Sequence, residues 1–281
     1  MKITVIQSVY LKNPLVPDAL VRNIVALTNS GIDFQYIVYN DKGDAQIEDD
    51  IKHFINTLEI DSNLERNFNN VEYVYSDINY GKKMCTGGYV GAIPYIKGDL
   101  IHNIGQDDIY TEEFYTISMK TFIDNPEIYF VTSNALDLDE KFKSTNIMMH
   151  PDLILDCSKP IEVFKIWFGI TPPLYEVTQA NNGFLAPGTM YKRELHDLIG
   201  EWDLENFRGA ADFEYWARIL YNGYSGYYIS QPNWYYRMSK YSAGNEIIDG
   251  KPNRGYWQQL HIQAIKEKYT NLVQQNKDKF K

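Results

Sequence analysis

The sequence predicts an α/β fold in which helices flank a parallel sheet. Short apolar segments typical of strands alternate with stretches of helical periodicity through the first half of the chain. Gly31 supplies a stop signal directly after the first helical stretch. Strands that alternate with helices in this way build parallel sheets covered by helices. The 281 residues are enough for one elaborated domain with a sizeable core.

The alternation is regular as far as residue 133. Each strand is a short run rich in Val, Ile, Phe and Tyr, and the first helix repeats Leu20, Ile24 and Leu27 at helical spacing. The predicted strands are 3–9, 34–39, 71–75, 100–104 and 128–133, and the predicted helices are 14–29, 45–58, 82–96 and 111–124.

The pattern loosens over residues 135–182, which are rich in proline. We interpret this stretch as an insertion on the substrate side of the sheet, with one apolar helix at 161–168. Regular elements return after Gly183. They are helices at 192–199 and 212–222, strands at 224–229 and 234–237, and a polar-faced helix over 255–281.

Charge and composition exclude several classes of protein. The net charge is -10, whereas a nucleic-acid binder needs lysine and arginine clustered on one face. The two cysteines, Cys85 and Cys157, form no CxxC or Cys/His cluster, so neither a zinc site nor a disulfide framework is indicated. No segment is apolar and long enough for a membrane span or a signal peptide. We therefore expect a cytoplasmic protein that binds no nucleic acid.

Two adjacent carboxylates, Asp107 and Asp108, follow the predicted strand at 100–104. Ligands of open α/β sheets bind outside the carboxyl ends of the strands, which is where this pair would lie. Neighbouring carboxylates suit Mg²⁺ or Mn²⁺, which keep open positions for substrate phosphates. The alternative is that the two residues cap the helix that begins near Thr111.

Other motifs flank this pair in order along the chain. In the first half these are Gln7-Ser8-Val9-Tyr10 at the end of the first strand, Asp41 in a turn after the second strand, Asn79-Tyr80-Gly81 before Lys82, and Gln106 beside Asp107. In the second half, residues 188–194 and 199–203 lead to Ala211-Asp212-Phe213-Glu214, and residues 235–242 contain Arg237 and Lys240.

Taken together, these motifs resemble family-2 glycosyltransferases of GT-A fold, and the likeness extends from about residue 3 to residue 242. The resemblance implies a mixed, mostly parallel sheet flanked by helices. It also implies a GT-A domain at 1–245, with a nucleotide-sugar half at 1–110 and an acceptor half at 111–245, followed by a helical extension at 246–281. The implied activity is inverting sugar transfer from a nucleotide-diphosphate donor, a UDP-sugar being favoured, to a carbohydrate or glycan-lipid acceptor in surface glycan or polysaccharide synthesis.

The resemblance also assigns roles to residues. Asp212 matches the catalytic base, and Asp107 with Asp108 matches the site for Mn²⁺ or Mg²⁺. Donor contacts are assigned to Gln7, Ser8, Tyr10, Asp41, Lys82, Gln106, Asp107, Arg237 and Lys240, with Asp41 pairing with the nucleobase. Acceptor recognition is expected in residues 160–182, where Trp167, Phe168 and Tyr175 could stack on a sugar ring. The alternative is core packing, which the helical spacing of Ile161, Phe164 and Trp167 favours.

Three departures from the family pattern keep other functions open. Ala211 stands where the family has a Glu, Gly105 lies in the metal motif, and residues 85–88 replace an Arg-Asn pair. A catalytically decayed protein that binds a sugar nucleotide or glycan is one alternative, which the intact Asp107, Asp108 and Asp212 oppose. A nucleotidyltransferase is another, but residues 9–14 lack the Gly-rich phosphate loop expected of that class. Asp212 would also suit the N-cap of the predicted helix at 212–222.

Overall fold

The computed structural model describes residues 1–10, 13–80, 87–139, 144–148, 156–168, 188–237, 239–241, 245 and 247–280. Its strands are β1 (Ile3–Val9), β2 (Phe34–Asn40), β3 (Glu72–Tyr75), β4 (Leu100–Ile104), β5 (Ile109–Tyr110), β6 (Phe130–Ser133), β7 (Leu136–Leu138), β8 (Ser144–Met148), β9 (Thr189–Lys192), β10 (Gly226–Ile229), β11 (Trp234–Arg237), β12 (Ile247–Ile248) and β13 (Lys251–Pro252). Its helices are α1 (Val16–Asn29), α2 (Ile47–Ile55), α3 (Ser62–Asn69), α4 (Gly87–Gly91), α5 (Glu112–Asp124), α6 (Pro160–Trp167), α7 (Leu195–Ile199), α8 (Leu204–Phe207), α9 (Ala211–Tyr221) and α10 (Gln258–Gln275).

A seven-stranded sheet organises the described residues, with the strand order β10-β6-β9-β4-β1-β2-β3. Strands β1 to β4 pair in parallel, whereas β9 runs antiparallel to both β4 and β6. The sheet is therefore mixed and mostly parallel, as predicted. Because β1, β2 and β4 are parallel neighbours, their carboxyl ends share one edge.

Alternating side chains of the strands enter two separate cores. In β1, Val5 packs with α1, α2 and α5 on one face, and Ile6 packs with α6, α9 and α10 on the other. This arrangement follows from the two-residue period of a strand that is apolar on both faces. The helices thus cover both sides of the sheet, as the α/β prediction requires.

A smaller sheet, in the order β5-β11-β7-β8, lies beside the edge where β4 ends. Its strand β5 begins immediately after Asp108 and pairs antiparallel with β11, so that Ile109 lies opposite Tyr235. Strand β11 also pairs in parallel with β7. This second sheet brings the segment that begins at Trp234 back to the end of β4.

Several predicted elements differ from the structure. The helix predicted at 82–96 is replaced in its described part by α4 and a 3₁₀ turn at Ile93–Tyr95, and residues 82–86 lie outside the described ranges. The helix α3 was not predicted, although Asp61 caps it by accepting hydrogen bonds from the backbone of Asn63 and Leu64. The start of the helix predicted at 192–199 belongs to β9, and α7 begins only at Leu195.

The C-terminal helix α10 is docked rather than solvated on all sides. Ile262, Ile265 and Tyr269 are buried along one of its faces, and Phe280 is buried after it. These side chains belong to the same core as α6 and α9. Within the described ranges, no helix combines the length and apolar character needed to cross a membrane.

Candidate active site

The loop after β4 is tied to the ends of the neighbouring strands. Gln7, in β1, donates a side-chain hydrogen bond to the backbone carbonyl of Gln106 at 2.7 Å, and Tyr36, in β2, donates its hydroxyl to Gln7 at 2.9 Å. The shared edge of β1, β2 and β4 makes this chain of contacts possible. It fixes the loop that carries Asp107 and Asp108.

Asp107 is held by two polar side chains from distant parts of the sequence. Asn13 Nδ2 and Ser239 Oγ donate to Asp107 Oδ2 over 3.1 and 3.0 Å. Asn13 also accepts a hydrogen bond from the backbone of Leu15 at the start of α1. Asp107 is buried, and burial raises the pKa of its carboxyl despite these donors.

Asp108 is held by hydrogen bonds to both its carboxylate and its backbone carbonyl. Its Oδ1 accepts a hydrogen bond from the Arg237 backbone N–H at 3.1 Å, and its carbonyl accepts one from Asn23 at 3.0 Å. Its carboxylate also folds back over Gly105, where a Cβ atom would collide with it. Burial and the neighbouring Asp107 raise the pKa of Asp108. Two buried carboxylates side by side therefore favour a bound cation or proton.

Neither carboxylate caps α5, so the capping alternative is wrong. Thr111 is the N-cap of this helix, and its hydroxyl accepts a hydrogen bond from the backbone of Phe114. The strand β5 separates Asp108 from the helix. A purely local role therefore does not account for the acidic pair.

Asp41 lies at the same edge, after β2. Its buried carboxylate accepts a hydrogen bond from the Tyr80 backbone N–H at 2.8 Å, which joins the turn after β2 to the predicted Asn79-Tyr80-Gly81 motif. Ser8 is buried near the end of β1, with Gly88 of α4 packed against its hydroxyl, and Tyr10 follows β1 half-buried. Lys82 lies outside the described residues.

The segment after β11 lies beside the acidic loop. Gln106 Nε2 donates to the Tyr241 carbonyl at 3.2 Å, which adds to the contact between Ser239 and Asp107. The Arg237 guanidinium is buried and pairs with Asp18 of α1 at 3.1 Å. The positive charge of Arg237 also lowers the pKa of both the Asp107 and the Asp108 carboxyl. Lys240 is exposed, and its Nζ lies 5.0 Å from the Tyr241 ring centroid.

Asp212 occupies the first turn of α9. The N-cap is Ala210, so the predicted capping role of Asp212 is wrong; its carboxylate instead accepts a hydrogen bond from the Phe213 backbone N–H at 2.8 Å. Burial raises the pKa of Asp212 to about 6. A carboxylate with this pKa is suited to accept a proton near neutral pH. Across the described residues, Asp212 forms no hydrogen bond or ion pair with the Asp107 loop.

Asp107 and Asp108 together offer donor atoms that suit a divalent cation. Both side chains provide hard, anionic oxygens, and the hydrogen bonds from the described Asn13 and Ser239 side chains to Asp107 both end on Oδ2. In the part of the chain that the structure describes, no group of three or more His, Cys, Asp or Glu side chains could hold a metal ion. Mg²⁺ and similar ions commonly use one or two carboxylates and complete their shell with substrate phosphates and water. The pair fits such a shared site.

Sequence reasoning missed the side chains that support the acidic loop. Asn13, Asn23 and Ser239 each hydrogen-bond to Asp107 or Asp108 from more than 80 residues away. The Asn13-Pro14 dipeptide is a turn signal and marked the loop before α1. No local pattern marks Asn23 as a hydrogen-bond partner of the Asp108 backbone.

The aromatic residues expected at the acceptor side are partly core residues. Trp167 is buried, with its ring centroid 4.5 Å from that of Phe213, and Phe164 is fully buried. Core packing, the alternative to sugar stacking, is therefore confirmed for Trp167 and Phe164. Phe168 is half-buried, and Tyr175 lies outside the described residues.

No protein-family model and no curated protein sequence matches the chain. Solved structures do match. S. aureus TarS, residues 1–349, in complex with UDP aligns with a TM-score of 0.55 and 14% identity over 85% of this chain and 61% of that one. The same protein in complex with UDP-GlcNAc gives a TM-score of 0.57 and 12% identity over 94% of this chain and 65% of that one.

A third similar structure is the mannosyltransferase PcManGT from Pyrobaculum calidifontis in complex with GDP-Man and Mn²⁺. Its TM-score is 0.53, with 15% identity over 90% of this chain and 58% of that one. The chain thus spans about three fifths of the length of the chains in these three structures. At this identity the comparison confirms the predicted fold, a mixed α/β fold shared with proteins that bind nucleotide sugars.

Proposed function

We propose that the chain is a glycosyltransferase that uses a nucleotide-diphosphate sugar as donor. One observation carries the proposal: the buried Asp107–Asp108 pair and the buried Asp41 follow the carboxyl ends of β4 and β2, the two parallel strands that flank β1, while Asp212, whose pKa is raised, lies in a separate helix. The similar structures in complex with UDP, UDP-GlcNAc and GDP-Man support this assignment. Sugar transfer needs both a diphosphate site and a proton acceptor.

The donor diphosphate is proposed to bind beside the acidic loop. Asp107 and Asp108 would hold Mn²⁺ or Mg²⁺ through the carboxylate oxygens of the pair. When bound, the cation stabilises negative charge on the departing phosphate oxygens. Arg237, buried against Asp18, contributes a fixed positive charge to the same region.

The nucleoside is proposed to lie over the ends of β1 and β2. Ser8, Tyr10 and Asp41 line this edge, and Asp41 would accept a hydrogen bond from a base N–H. That acceptor favours uracil as the base. Gln7 and Gln106 hold the loop under the diphosphate through their mutual hydrogen bond. Lys82 and Lys240 remain proposed contacts of the donor.

Asp212 is proposed as the general base. Its carboxylate takes the proton from an acceptor hydroxyl as that oxygen attacks the anomeric carbon, while the bond from this carbon to the donor phosphate breaks. Attack from the face opposite the diphosphate inverts the configuration of the sugar. The raised pKa keeps Asp212 ionised only above about 6. A carbohydrate or glycan-lipid acceptor would approach from the side of residues 160–182.

A donor panel tests this proposal. The protein is mixed with UDP-, GDP-, CMP- and dTDP-sugars, with and without Mn²⁺, and both its melting temperature and the release of nucleotide are measured. A bound donor stabilises the native state by RT ln(1 + [L]/Kd), so the correct donor raises the melting temperature. We expect stabilisation and nucleoside diphosphate release with one class of donor.

Each contrary outcome has a distinct meaning. Stabilisation by a sugar nucleotide without release, in the presence of a carbohydrate acceptor panel, would identify a binding protein rather than an enzyme. Release of pyrophosphate from a nucleoside triphosphate mixed with a sugar phosphate would identify a nucleotidyltransferase. The absence of any stabilisation by the four donor classes would refute the donor site.

A further inference from the structure

The C-terminal helix α10 contacts the chain on both sides of Asp212. On the N-terminal side, the Gly209 backbone N–H donates a hydrogen bond to His261 Nδ1 at 3.0 Å. A Cβ atom at Gly209 would lie 2.7 Å from the same nitrogen, so a glycine is needed for this close approach. Gly209 lies in the 3₁₀ turn Arg208–Ala210, which leads directly into α9. This contact therefore fixes the chain three residues before Asp212.

On the C-terminal side, α10 holds Glu214, which is fully buried. Lys268 Nζ pairs with Glu214 Oε1 at 2.7 Å, and the Tyr269 hydroxyl donates to the same oxygen at 3.0 Å. Arg218 pairs with the other carboxylate oxygen at 2.7 Å. A buried carboxylate is stable only when its charge and lone pairs are matched. Lys268 and Tyr269 thus anchor the chain two residues after Asp212.

The same network reaches the loop that precedes α8. Arg218 donates hydrogen bonds to the carbonyls of Ile199 and Glu201 at 2.6 and 2.8 Å. The Lys268 ammonium also lies 5.1 Å from the Phe207 ring centroid, at the end of α8. Through Glu214 and its partners Arg218 and Lys268, the first turn of α9 is therefore connected to α10, to α8 and to the loop after α7.

We infer that α10 positions Asp212 for proton transfer, with His261, Lys268 and Tyr269 as positioning residues. The inference rests on the proposed function, in which Asp212 is the base. Its physical basis is that a general base must lie within hydrogen-bond reach of the proton that it accepts, and that a displacement of about 1 Å costs on the order of 10²-fold in rate. The Asp212 carboxylate accepts a hydrogen bond from the Phe213 backbone at the start of α9. Its position is thus set by the anchors on either side.

The test compares Lys268→Met and His261→Ala with the wild-type protein. The assay measures release of nucleoside diphosphate from the preferred donor, with water as the acceptor, well below the melting temperature of every variant. Lys266→Met is the matched control, since Lys266 is exposed on the same helix. Lys268→Arg tests rescue, because an arginine can restore the ion pair with Glu214.

We expect kcat to fall by roughly tenfold to a hundredfold in Lys268→Met and His261→Ala, with the donor KM changed by less than about twofold. Lys268→Arg should recover most of the loss, and Lys266→Met should match the wild-type protein. A merely stabilising role of α10 predicts a lower melting temperature with an unchanged kcat. If Lys268→Met does not fold, Tyr269→Phe, which removes one oxygen from the Glu214 contact, replaces it.

Two results would overturn the inference. One is a wild-type kcat in both Lys268→Met and His261→Ala. The other is a rise in donor KM in proportion to the fall in kcat, which would indicate general damage to the site. A wild-type protein that releases no nucleoside diphosphate from any donor, either with water or with the carbohydrate acceptor panel, would instead refute the proposed function, so the two failures are distinguishable.

Discussion

We expect the ionised Asp212 carboxylate to lower the free energy of unfolding, in addition to its proposed role in catalysis. Burial raises the pKa of its carboxyl from 3.8 to about 6, which corresponds to roughly 3 kcal/mol between the two protonation states. The native state binds this proton more tightly than the unfolded chain does. The protein therefore loses the corresponding stability as the pH rises from the unfolded value through about 6.

Asp212→Asn should remove that cost because an amide does not ionise. Its side-chain oxygen can still accept the hydrogen bond from Phe213. We expect the variant to be more stable than the wild-type protein by up to roughly 3 kcal/mol near pH 8, and by roughly half as much near pH 5. For a chain of this length, 3 kcal/mol corresponds to roughly 5 °C in Tm.

Urea denaturation at the two pH values measures this difference. Asp50→Asn is the control, since Asp50 is exposed on α2. The transfer assay of the same variant should show a loss of roughly 10²–10⁴-fold with nucleotide affinity retained. The wild-type rate should fall about tenfold per pH unit below about 6, as the base becomes protonated.

The two measurements can fail separately. A variant no more stable than the wild-type protein near pH 8 would contradict the burial argument. A variant that is stable and retains turnover would show that Asp212 is not the base, whatever its pKa.

Three further substitutions test the donor side. Asp107→Asn should weaken nucleoside diphosphate binding at least about tenfold when Mn²⁺ is present, because one carboxylate of the pair is lost, and should change it little when EDTA is present. If calorimetry gave the wild-type protein the same affinity with Mn²⁺ as with EDTA, the result would count against a metal site. Asp41→Ala should lower affinity and reduce the preference for uridine nucleotides in competition binding, and an unchanged preference would exclude base recognition by this residue. Gly105→Ala should cost about 1–3 kcal/mol in urea unfolding because its Cβ would collide with the Asp108 carboxylate, whereas Gly255→Ala, where a Cβ meets only ordinary contacts, should cost less.

The fold could be predicted from the sequence because its strands are short apolar runs with clear boundaries. The predicted strands at 3–9, 100–104 and 234–237 coincide with β1, β4 and β11. The strand β9 is different, because it shares Lys192 with the helix predicted at 192–199 and is selected by its pairing with β4 and β6. Tertiary contacts override local propensity in such short segments.

The candidate site was predictable only where its residues follow strand ends. Asp41 and Asp107 could be placed because the carboxyl ends of parallel strands meet at one edge. The partners of Asp107 could not be placed from the sequence, since Asn13 and Ser239 lie 94 and 132 residues from it on opposite sides in the chain. The contacts of Glu214 with Lys268 and Tyr269 also join residues that are far apart, with separations of 54 and 55 residues.

The buried carboxylates of this protein differ in how their charge is balanced. Glu214 is matched inside the chain by Arg218 and Lys268, as a structural carboxylate must be. Among the described residues no cation pairs with Asp212, and the pKa of Asp107 is raised although the Arg237 charge lowers it. A fold that can match a buried charge in α9 but leaves two others incompletely matched retains reactivity at those two positions. The unmatched charges lie where a cation and an acceptor proton are proposed to bind, which is why Asp107→Asn and Asp212→Asn should gain or keep stability while they lose activity.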